Sequence, residues 1–320
     1  MAGLRRTLTS TAVAVVSVVT LVVGAAAPAG ALSTSPAFSG DFPDPFVLVV
    51  GSTYWAYSTG SAGRNLQVMS SSDLTNWSAP ADPLPSLPLW AQAGFTWAPG
   101  VLAGNGSYLM YYTVRDGTSG RQCISVAWAS QPAGPFTDSS TGPLVCQLSN
   151  QGSIDPSPLV TPTGTYLLWK SDDNASGAPT HLWSQQLSAD GRSLVGNRAL
   201  LLTQDRSWQA PAVEGPSMVA VDRYYYLFYG AGDWNSSNAA IGYALCTSPL
   251  GPCNNRSTSG PWLASRDGAV GPSGPAAFSD VSGSTRLAYH AWTGAVGYPG
   301  GERSLWIDAL RFQGNRPVLV

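Results

Sequence analysis

The sequence has 320 residues, with 16 Lys and Arg against 18 Asp and Glu and a formal net charge of −2 at pH 7. Lys170 is its only lysine, and no basic stripe runs through it, which excludes nucleic acid as a predicted partner. Helical periodicity is almost absent, and short apolar and aromatic runs between Gly and Pro turns indicate an all-β protein.

Residues 1–31 have the features of a secretory signal peptide. Arg5 and Arg6 precede an apolar run over residues 12–23, and Ala29-Gly30-Ala31 is a small-residue cleavage site. A membrane anchor is the alternative, but the apolar run is short for a span and ends in Ala, Pro and Gly. We therefore expect residues 32–320 to be secreted into the extracellular space, with no membrane partner.

One unit then occurs five times along the chain, beginning in the stretch from Asp41 to Leu48. Each copy has a turn with a proline, then an aromatic strand about a dozen residues later, then a third strand-like run. The aromatic strands end at Tyr57, Tyr111, Trp169, Tyr229 and Tyr289, at spacings of 54, 58, 60 and 60 residues. Repeats of several short strands at this period predict a five-bladed β-propeller, formed by residues 32–320 as one domain.

Four cysteines in an exported chain should form disulfides. Cys246 and Cys253 close a tight loop, and Cys123 and Cys146 bracket the outer strands of the second unit. We predict the pairs Cys123–Cys146 and Cys246–Cys253. A zinc site is the alternative, but it lacks a CxxC element, and His181 and His290 are the only histidines.

Three of the five turns carry a carboxyl group: Asp44 in the first unit, Asp155 in the third and Glu214 in the fourth. Each could be only a turn residue that bonds its own backbone. Matching turns of a propeller meet at one end of its axis, however, and three like charges held together there destabilise the fold. Glycoside hydrolysis gives such a cluster a use, since one carboxylate activates water while a carboxylic acid protonates the leaving oxygen. The sequence has no G-x-S-x-G, P-loop or H-E-x-x-H motif.

The motifs resemble those of family-43 glycoside hydrolases over the whole mature chain. They are Asp41-Phe-Pro-Asp44-Pro45, Trp97-Ala98-Pro99, Ile154-Asp155-Pro156, Val213-Glu214-Gly215-Pro216 and Tyr289-His290-Ala291. The resemblance implies a five-bladed propeller and an inverting mechanism that needs no cofactor. It also implies that Asp44 is the general base, Glu214 the general acid, and Asp155 the residue that tunes and orients that acid.

The same resemblance implies further site residues. Trp97 and Arg303 would contact the sugar, and we predict that Phe46 also binds substrate. His290 would lie beside a metal ion, such as a structural calcium held through water in the axial channel, although it could be a buried histidine bonded only to backbone. Arg303 could instead pair with Glu302 or Asp308. The family usually has an acidic or polar residue where Gly100 follows Trp-Ala-Pro here.

We therefore predict a monomeric, secreted hydrolase of plant cell-wall pentose polysaccharides, such as arabinan, arabinoxylan or xylan. An α-L-arabinofuranosidase or arabinanase is the first choice and a β-xylosidase the second, because the family contains both. A non-catalytic sugar-binding propeller is a third hypothesis. It would repeat its sites in every blade, whereas these acids break the fivefold symmetry.

Overall fold

The computed structural model describes residues 1–3, 32–104 and 106–320. Most of the predicted signal peptide, residues 4–31, lies outside the described residues. No helix in the described ranges is both long enough and apolar enough to cross a membrane. Short 3-10 turns are the helical elements of the fold, and they span Leu148–Asn150, Asp173–Ser176 and Ser207–Gln209.

Five antiparallel sheets follow one another along the chain, one for each sequence repeat. Blade one consists of β1 (Phe46–Val50), β2 (Thr53–Thr59) and β3 (Leu66–Ser71). Blade two consists of β4 (Ala91–Gly104), β5 (Ser107–Asp116) and β6 (Gln122–Ala129). Blade three consists of β7 (Ser153–Thr161), β8 (Gly164–Ser171), β9 (His181–Leu187) and β10 (Leu194–Thr203). Blade four consists of β11 (Val213–Val221), β12 (Tyr224–Ala231), β13 (Ala240–Cys246) and β14 (Cys253–Asn255). Blade five consists of β15 (Val270–Ser279), β16 (Thr285–Gly294), β17 (Gly301–Gln313) and β18 (Arg316–Leu319).

The ring is closed around its axis by the first strand of each blade. Each of these strands contacts the first strand of the next blade, and β15 of blade five contacts β1 of blade one. The segment that precedes β1 reinforces the closure, since Phe38 pairs with Leu305 of β17 and the Ala37 N–H donates to the Leu305 carbonyl. The predicted five-bladed all-β propeller is confirmed.

The core of the protein is divided among the five contacts between neighbouring blades. Each contact has its own apolar cluster, to which the central aromatic strands contribute fully buried side chains. These include Tyr57 between blades one and two, Trp169 between two and three, and Tyr289 between four and five. The aromatic strands recur in the sequence because each contact between neighbouring twisted sheets is filled by flat aromatic rings.

The predicted disulfides are confirmed. Cys123–Cys146 ties β6 to the segment that leaves blade two, and Cys246–Cys253 joins β13 to β14. The four cysteines are thus all paired, which excludes the zinc alternative.

Candidate active site

The turn at the start of each blade has an unusual backbone conformation at the residue before its proline. All five of these residues have positive φ angles: 54° at Asp44, 42° at Ala98, 57° at Asp155, 53° at Gly215 and 59° at Gly274. Left-handed backbone is costly for residues other than glycine and is concentrated at functional sites. The five turns share this conformation, and all of them line one narrow cavity at the axis of the ring.

This pattern corrects one detail of the sequence analysis. Asp44 and Asp155 occupy equivalent positions, but the equivalent residue in blade four is Gly215, so Glu214 lies one position earlier. The pairing of β11 with β12 skips from Glu214 to Ser217, as expected for a bulge. The general-acid candidate therefore reaches the axis from a different backbone position than the two aspartates.

One cavity of about 410 Å³ contains the three predicted acids together with Trp97 and Arg303. Its volume lies within the range of roughly 300–1,000 Å³ typical of small-molecule sites. Its lining consists of Asp44, Thr59, Trp97, Ile154, Asp155, Lys170, Asp172, Asn174, Ala175, Glu214, Trp234 and Arg303. Phe46 does not line this cavity. It lines a second, narrower cavity formed by the axial prolines and packs against the core between blades one and two.

Three side chains surround the Asp44 carboxyl group. Thr59 Oγ1 donates to Asp44 Oδ2 at 2.7 Å, while Arg303 Nη1 and His290 Nδ1 lie 3.7 and 3.4 Å from Asp44 Oδ1. Burial alone would raise the pKa of Asp44, but the positive charge of Arg303 and the hydrogen bond from Thr59 hold it below its ordinary value. The carboxylate remains 26% exposed towards the cavity, so it can act as a base there.

Asp155 has the opposite environment. Burial and then the nearby Glu214 carboxyl raise the pKa of Asp155 to about 7, against the opposing effects of Lys170 and the Gly215 N–H. Its own N–H donates to Thr113 Oγ1 at 3.0 Å, and its Oδ2 accepts the Gly215 N–H at 2.9 Å. Asp155 is therefore connected through the backbone to the residue that follows Glu214, and the site separates one ionised aspartate from one that retains a proton.

Arg303 is fixed by an aromatic cage and not by the acids that the sequence offered as alternatives. Its guanidinium carbon lies 4.9 Å from the Trp234 ring centre and 5.8 Å from that of Tyr298, whose hydroxyl accepts from Arg303 Nε at 3.2 Å. Asp308 pairs instead with Arg266 at 2.9 Å. Arg303 can therefore point at Asp44 and the cavity.

His290 lies behind Asp44 and is 1% exposed. Its Nδ1 accepts the Asp44 N–H at 3.0 Å, so Nε2 carries the proton, and Nε2 has no hydrogen-bond partner in the part of the chain that the structure describes. Burial lowers the pKa of His290 to about 3, which leaves the ring neutral. Gly274 is required beside this contact, because a Cβ there would lie 2.8 Å from His290 Nδ1.

Sequence analysis missed several residues of the cavity, of which Trp234 and Lys170 bear most on its chemistry. Trp234 is 42% exposed and is a second aromatic wall besides Trp97. Lys170 is buried, and its Nζ lies 3.4 Å from Glu214 Oε2. A signal for Lys170 was present, since Lys170 and His290 each directly follow the residue at which the aromatic strand of their repeat ends. The glycine at position 100, where the family usually has an acidic or polar residue, is explained by local packing, because a Cβ there would lie 2.5 Å from Pro158 Cδ.

A closed five-bladed propeller with four carboxyl groups, an arginine and two tryptophans in one axial cavity defines a class of proteins, the propeller glycoside hydrolases. Within that class, the chain belongs to the glycosyl hydrolases family 43, whose family model matches residues 33–316. The resemblance noted in the sequence is therefore confirmed. Members of the family hydrolyse O-glycosidic bonds and need no cofactor for catalysis.

Two curated relatives and one crystal structure illustrate the similarity. The chain is 27% identical over 239 residues to beta-D-galactofuranosidase xynD of Aspergillus niger, covering 68% of this chain and 64% of that protein. It is 27% identical over 228 residues to extracellular endo-alpha-(1->5)-L-arabinanase 1 of Bacillus subtilis, covering 67% of this chain and 68% of that protein. The matches thus span about two thirds of each relative. A thermostable family-43 glycoside hydrolase shares the fold with a TM-score of 0.78 at 27% identity, covering 90% of this chain and 95% of that one.

Proposed function

We propose that this protein is an inverting glycoside hydrolase that releases α-L-arabinofuranosyl groups from arabinan or arabinoxylan. The observation that carries the proposal is the separation of charge states in one cavity. Asp44 is held ionised by Arg303 and by the hydrogen bond from Thr59, while burial and the neighbouring Glu214 carboxyl favour a proton on Asp155. Hydrolysis of a glycoside needs such a pair of states, a base for water and a source of a proton for the leaving oxygen.

Asp44 is the general base in this proposal. Its carboxylate removes a proton from a water molecule as that water attacks the anomeric carbon, and inversion requires the base and acid to stand roughly 6.5–9.5 Å apart. Arg303 is within 3.7 Å of Asp44 and also faces the cavity, so it can bind a sugar hydroxyl beside the base. Because His290 is neutral, it orients Asp44 without competing for the proton.

Glu214 is the general acid, and Asp155 tunes it. Glu214 is 21% exposed to the cavity, so it can reach a bound leaving group. The Asp155 carboxyl instead accepts the Gly215 N–H, and the Asp155 N–H donates to Thr113 Oγ1, so Asp155 is fixed beside the acid. The interaction is mutual, because each of these two neighbouring carboxyl groups disfavours ionisation of the other when it is itself ionised, so the pair favours retaining one transferable proton.

The sugar ring is expected to lie between Trp97 and Trp234, whose aromatic faces bind the apolar faces of sugars. The two relatives compared above are named as a galactofuranosidase and an arabinanase, both of which act on five-membered sugar rings. These names favour a furanosyl substrate. A β-xylosidase is the second candidate from the sequence, and substrate assays decide between them. One relative is named as extracellular, and the chain has two disulfides, which supports export. We also propose that the protein acts as a monomer.

A structural cation, such as calcium, fits the axial channel only through water. Nε2 of His290 is a buried donor without a partner among the described residues, and a protonated Nε2 cannot bind a cation directly. It can donate to a water molecule that the cation holds. No group of three His, Cys, Asp or Glu side chains in the described ranges is arranged to bind a metal by itself. We propose such an ion as a stabiliser of the fold.

The test is a substrate panel with product analysis. Purified protein should hydrolyse 4-nitrophenyl α-L-arabinofuranoside and either linear arabinan or arabinoxylan, with slower turnover of 4-nitrophenyl β-D-galactofuranoside and β-D-xylopyranoside. Proton NMR of the first product should show an inverted anomeric configuration. A preference for the xyloside would select the second candidate, and binding to arabinan without any hydrolysis would select the sugar-binding propeller. Chain-length analysis of arabinan products distinguishes exo from endo cleavage.

A further inference from the structure

Lys170 is the chain's only lysine, and it is almost completely buried at the base of the cavity with 1% of its surface exposed. It follows Trp169 in β8 as His290 follows Tyr289 in β16. Each of the two side chains contacts the first turn of the next blade: His290 contacts Asp44, and Lys170 contacts Glu214. The two proposed catalytic carboxyls thus each have a supporting side chain from the same position of the preceding blade.

Three carboxyl groups face the Lys170 ammonium from three segments. Nζ lies 3.4 Å from Glu214 Oε2 in β11 and 3.6 Å from Asp172 Oδ1 in the turn after β8, and Asp155 in β7 also acts on it. Burial alone would lower the pKa of Lys170, but these carboxyls outweigh it and raise the pKa above the ordinary value. Lys170 is therefore a permanent cation beside Glu214.

Asp172 is held in place as a counter-charge to Lys170. It precedes the 3-10 turn Asp173–Ser176, and Asp173 fixes that turn by accepting hydrogen bonds from Ser171 and Asn150 and by pairing with His181 at 3.1 Å. Burial raises the pKa of Asp172, and Lys170 opposes this effect, with Asp173 and Arg121 as further charged neighbours. Lys170 and Asp172 together therefore set the positive electrostatic potential at the Glu214 carboxyl.

We propose that Lys170 is a positioning residue for Glu214 and that the Lys170–Asp172 pair sets the pH at which Glu214 can donate its proton. The inference rests on the proposed role of Glu214 as general acid. When the Glu214 O–H gives its proton to the leaving oxygen, the bonding electron pair stays on the Glu214 carboxylate as the glycosidic C–O bond breaks. The ammonium stabilises this developing charge, while Asp155 and Asp172 prevent it from ionising Glu214 too early.

Substitutions of Lys170 and of Asp172 should shift the pH profile of kcat/KM in opposite directions. Lys170→Met removes the cation, so the alkaline limb of kcat/KM should move up by about 1 pH unit, and hydrolysis of arabinan oligomers at pH 7 should fall about tenfold. Asp172→Asn removes a negative charge that partly neutralises the Lys170 ammonium, so the alkaline limb should move to lower pH. Lys170→Arg retains the charge and should keep the limb near its original pH. Arg316→Met removes an exposed charge on β18 and serves as the control, with no shift expected.

A second measurement does not depend on turnover. The sequence has two glutamates, Glu214 and Glu302, so protein labelled with ¹³C at the glutamate carboxyls gives one active-site signal and one exposed internal reference. The Glu214 signal should titrate about 1 pH unit higher in Lys170→Met than in the parent and lower in Asp172→Asn, while Glu302 stays unchanged.

These outcomes separate the two proposals. If no glycoside is hydrolysed, the proposed function fails, and the NMR titration still decides whether Lys170 and Asp172 control Glu214. If the protein hydrolyses arabinan but neither substitution moves the limb or the Glu214 signal, Lys170 has only a structural role and this inference is overturned. Shifts in the same direction for both variants would overturn it as well. Should Lys170→Met fail to fold, Asp172→Asn and Lys170→Arg provide the same decision.

Discussion

The Asp44 N–H donates to Nδ1 of His290 across the junction of blades five and one, at a donor–acceptor distance of 3.0 Å. The bond fixes the left-handed turn of Asp44 at its place in the ring, and it fixes the tautomer of His290 with the proton on Nε2. One contact therefore orients the proposed base towards the cavity and leaves Nε2 of His290 as a buried donor without a partner among the described residues.

That buried donor leads to a prediction about metal content. If a calcium ion lies in the axial channel with a water molecule that accepts from His290 Nε2, removing the ion should lower the melting temperature, since a ligand bound only to the folded state stabilises it. Elemental analysis of protein purified without added metal is the direct measurement, followed by thermal melts with and without a chelator. Protein that contains no bound metal and melts identically in both conditions would rule the ion out.

The neutral state of His290 predicts a contribution to acid sensitivity. Its pKa falls from 6.5 to about 3 on folding, so below pH 6.5 the unfolded chain binds a proton that the folded protein does not. The contribution of neutral His290 to the free energy of unfolding is therefore fully present above pH 6.5. It is lost as pH falls towards 3, by up to about 1.4 kcal/mol per pH unit. His290→Gln removes this titration. The difference in unfolding free energy between the two proteins, from denaturant melts at several pH values, should shrink as pH falls; a constant difference would contradict the assignment.

Glu214→Gln tests the general acid. Glutamine keeps the size of the side chain but has no transferable proton, and a sugar alkoxide needs that proton far more than a nitrophenolate does. Hydrolysis of arabinan oligomers should therefore fall by about 10²–10⁴, with a much smaller loss on 4-nitrophenyl α-L-arabinofuranoside. The measurement is kcat/KM on both substrates. Equal losses would mean that Glu214 is not the proton donor.

Asp44→Asn tests the general base. Water must be activated whatever the leaving group is, so this variant should lose activity on both substrates alike, by about 10²–10⁴. Circular dichroism and a thermal melt should show that the fold is kept, because asparagine can adopt the left-handed backbone of Asp44. A variant that retained activity on the aryl glycoside would show that another group activates the water.

Asp155→Asn tests the tuning of the acid. The substitution removes a carboxyl group whose pKa is raised to about 7, so above that pH it removes a negative charge that disfavours ionisation of the neighbouring acid. Activity should fall by less than in Glu214→Gln on oligomers, and the alkaline limb of kcat/KM should move to lower pH. A pH profile from pH 4 to 9 gives both quantities, and an unchanged limb would remove Asp155 from this role.

The sequence by itself determined the repeat and therefore the ring. Aromatic strands, Gly and Pro turns and the spacing of cysteines are local patterns, and they predicted five blades and both disulfides correctly. The convergence of Asp44, Asp155 and Glu214 also followed, because equivalent turns of a closed ring must meet at its axis. A repeat does not specify where each side chain points, and Glu214, which stands two residues before its proline where the aspartates stand one, still lines the same cavity.

Only the tertiary structure decided which side chains meet across blade boundaries. Lys170 reaches Glu214, His290 reaches Asp44, and Trp234 and Tyr298 enclose Arg303. Most of these contacts join residues far apart in the sequence, and for Arg303 the sequence also offered Glu302 and Asp308 as nearer partners. Ring closure decides which contacts form, because the packing of each blade's aromatic strand against the next blade sets where the last side chains of that strand point. The charge states of the site, and with them the chemistry, follow from those contacts.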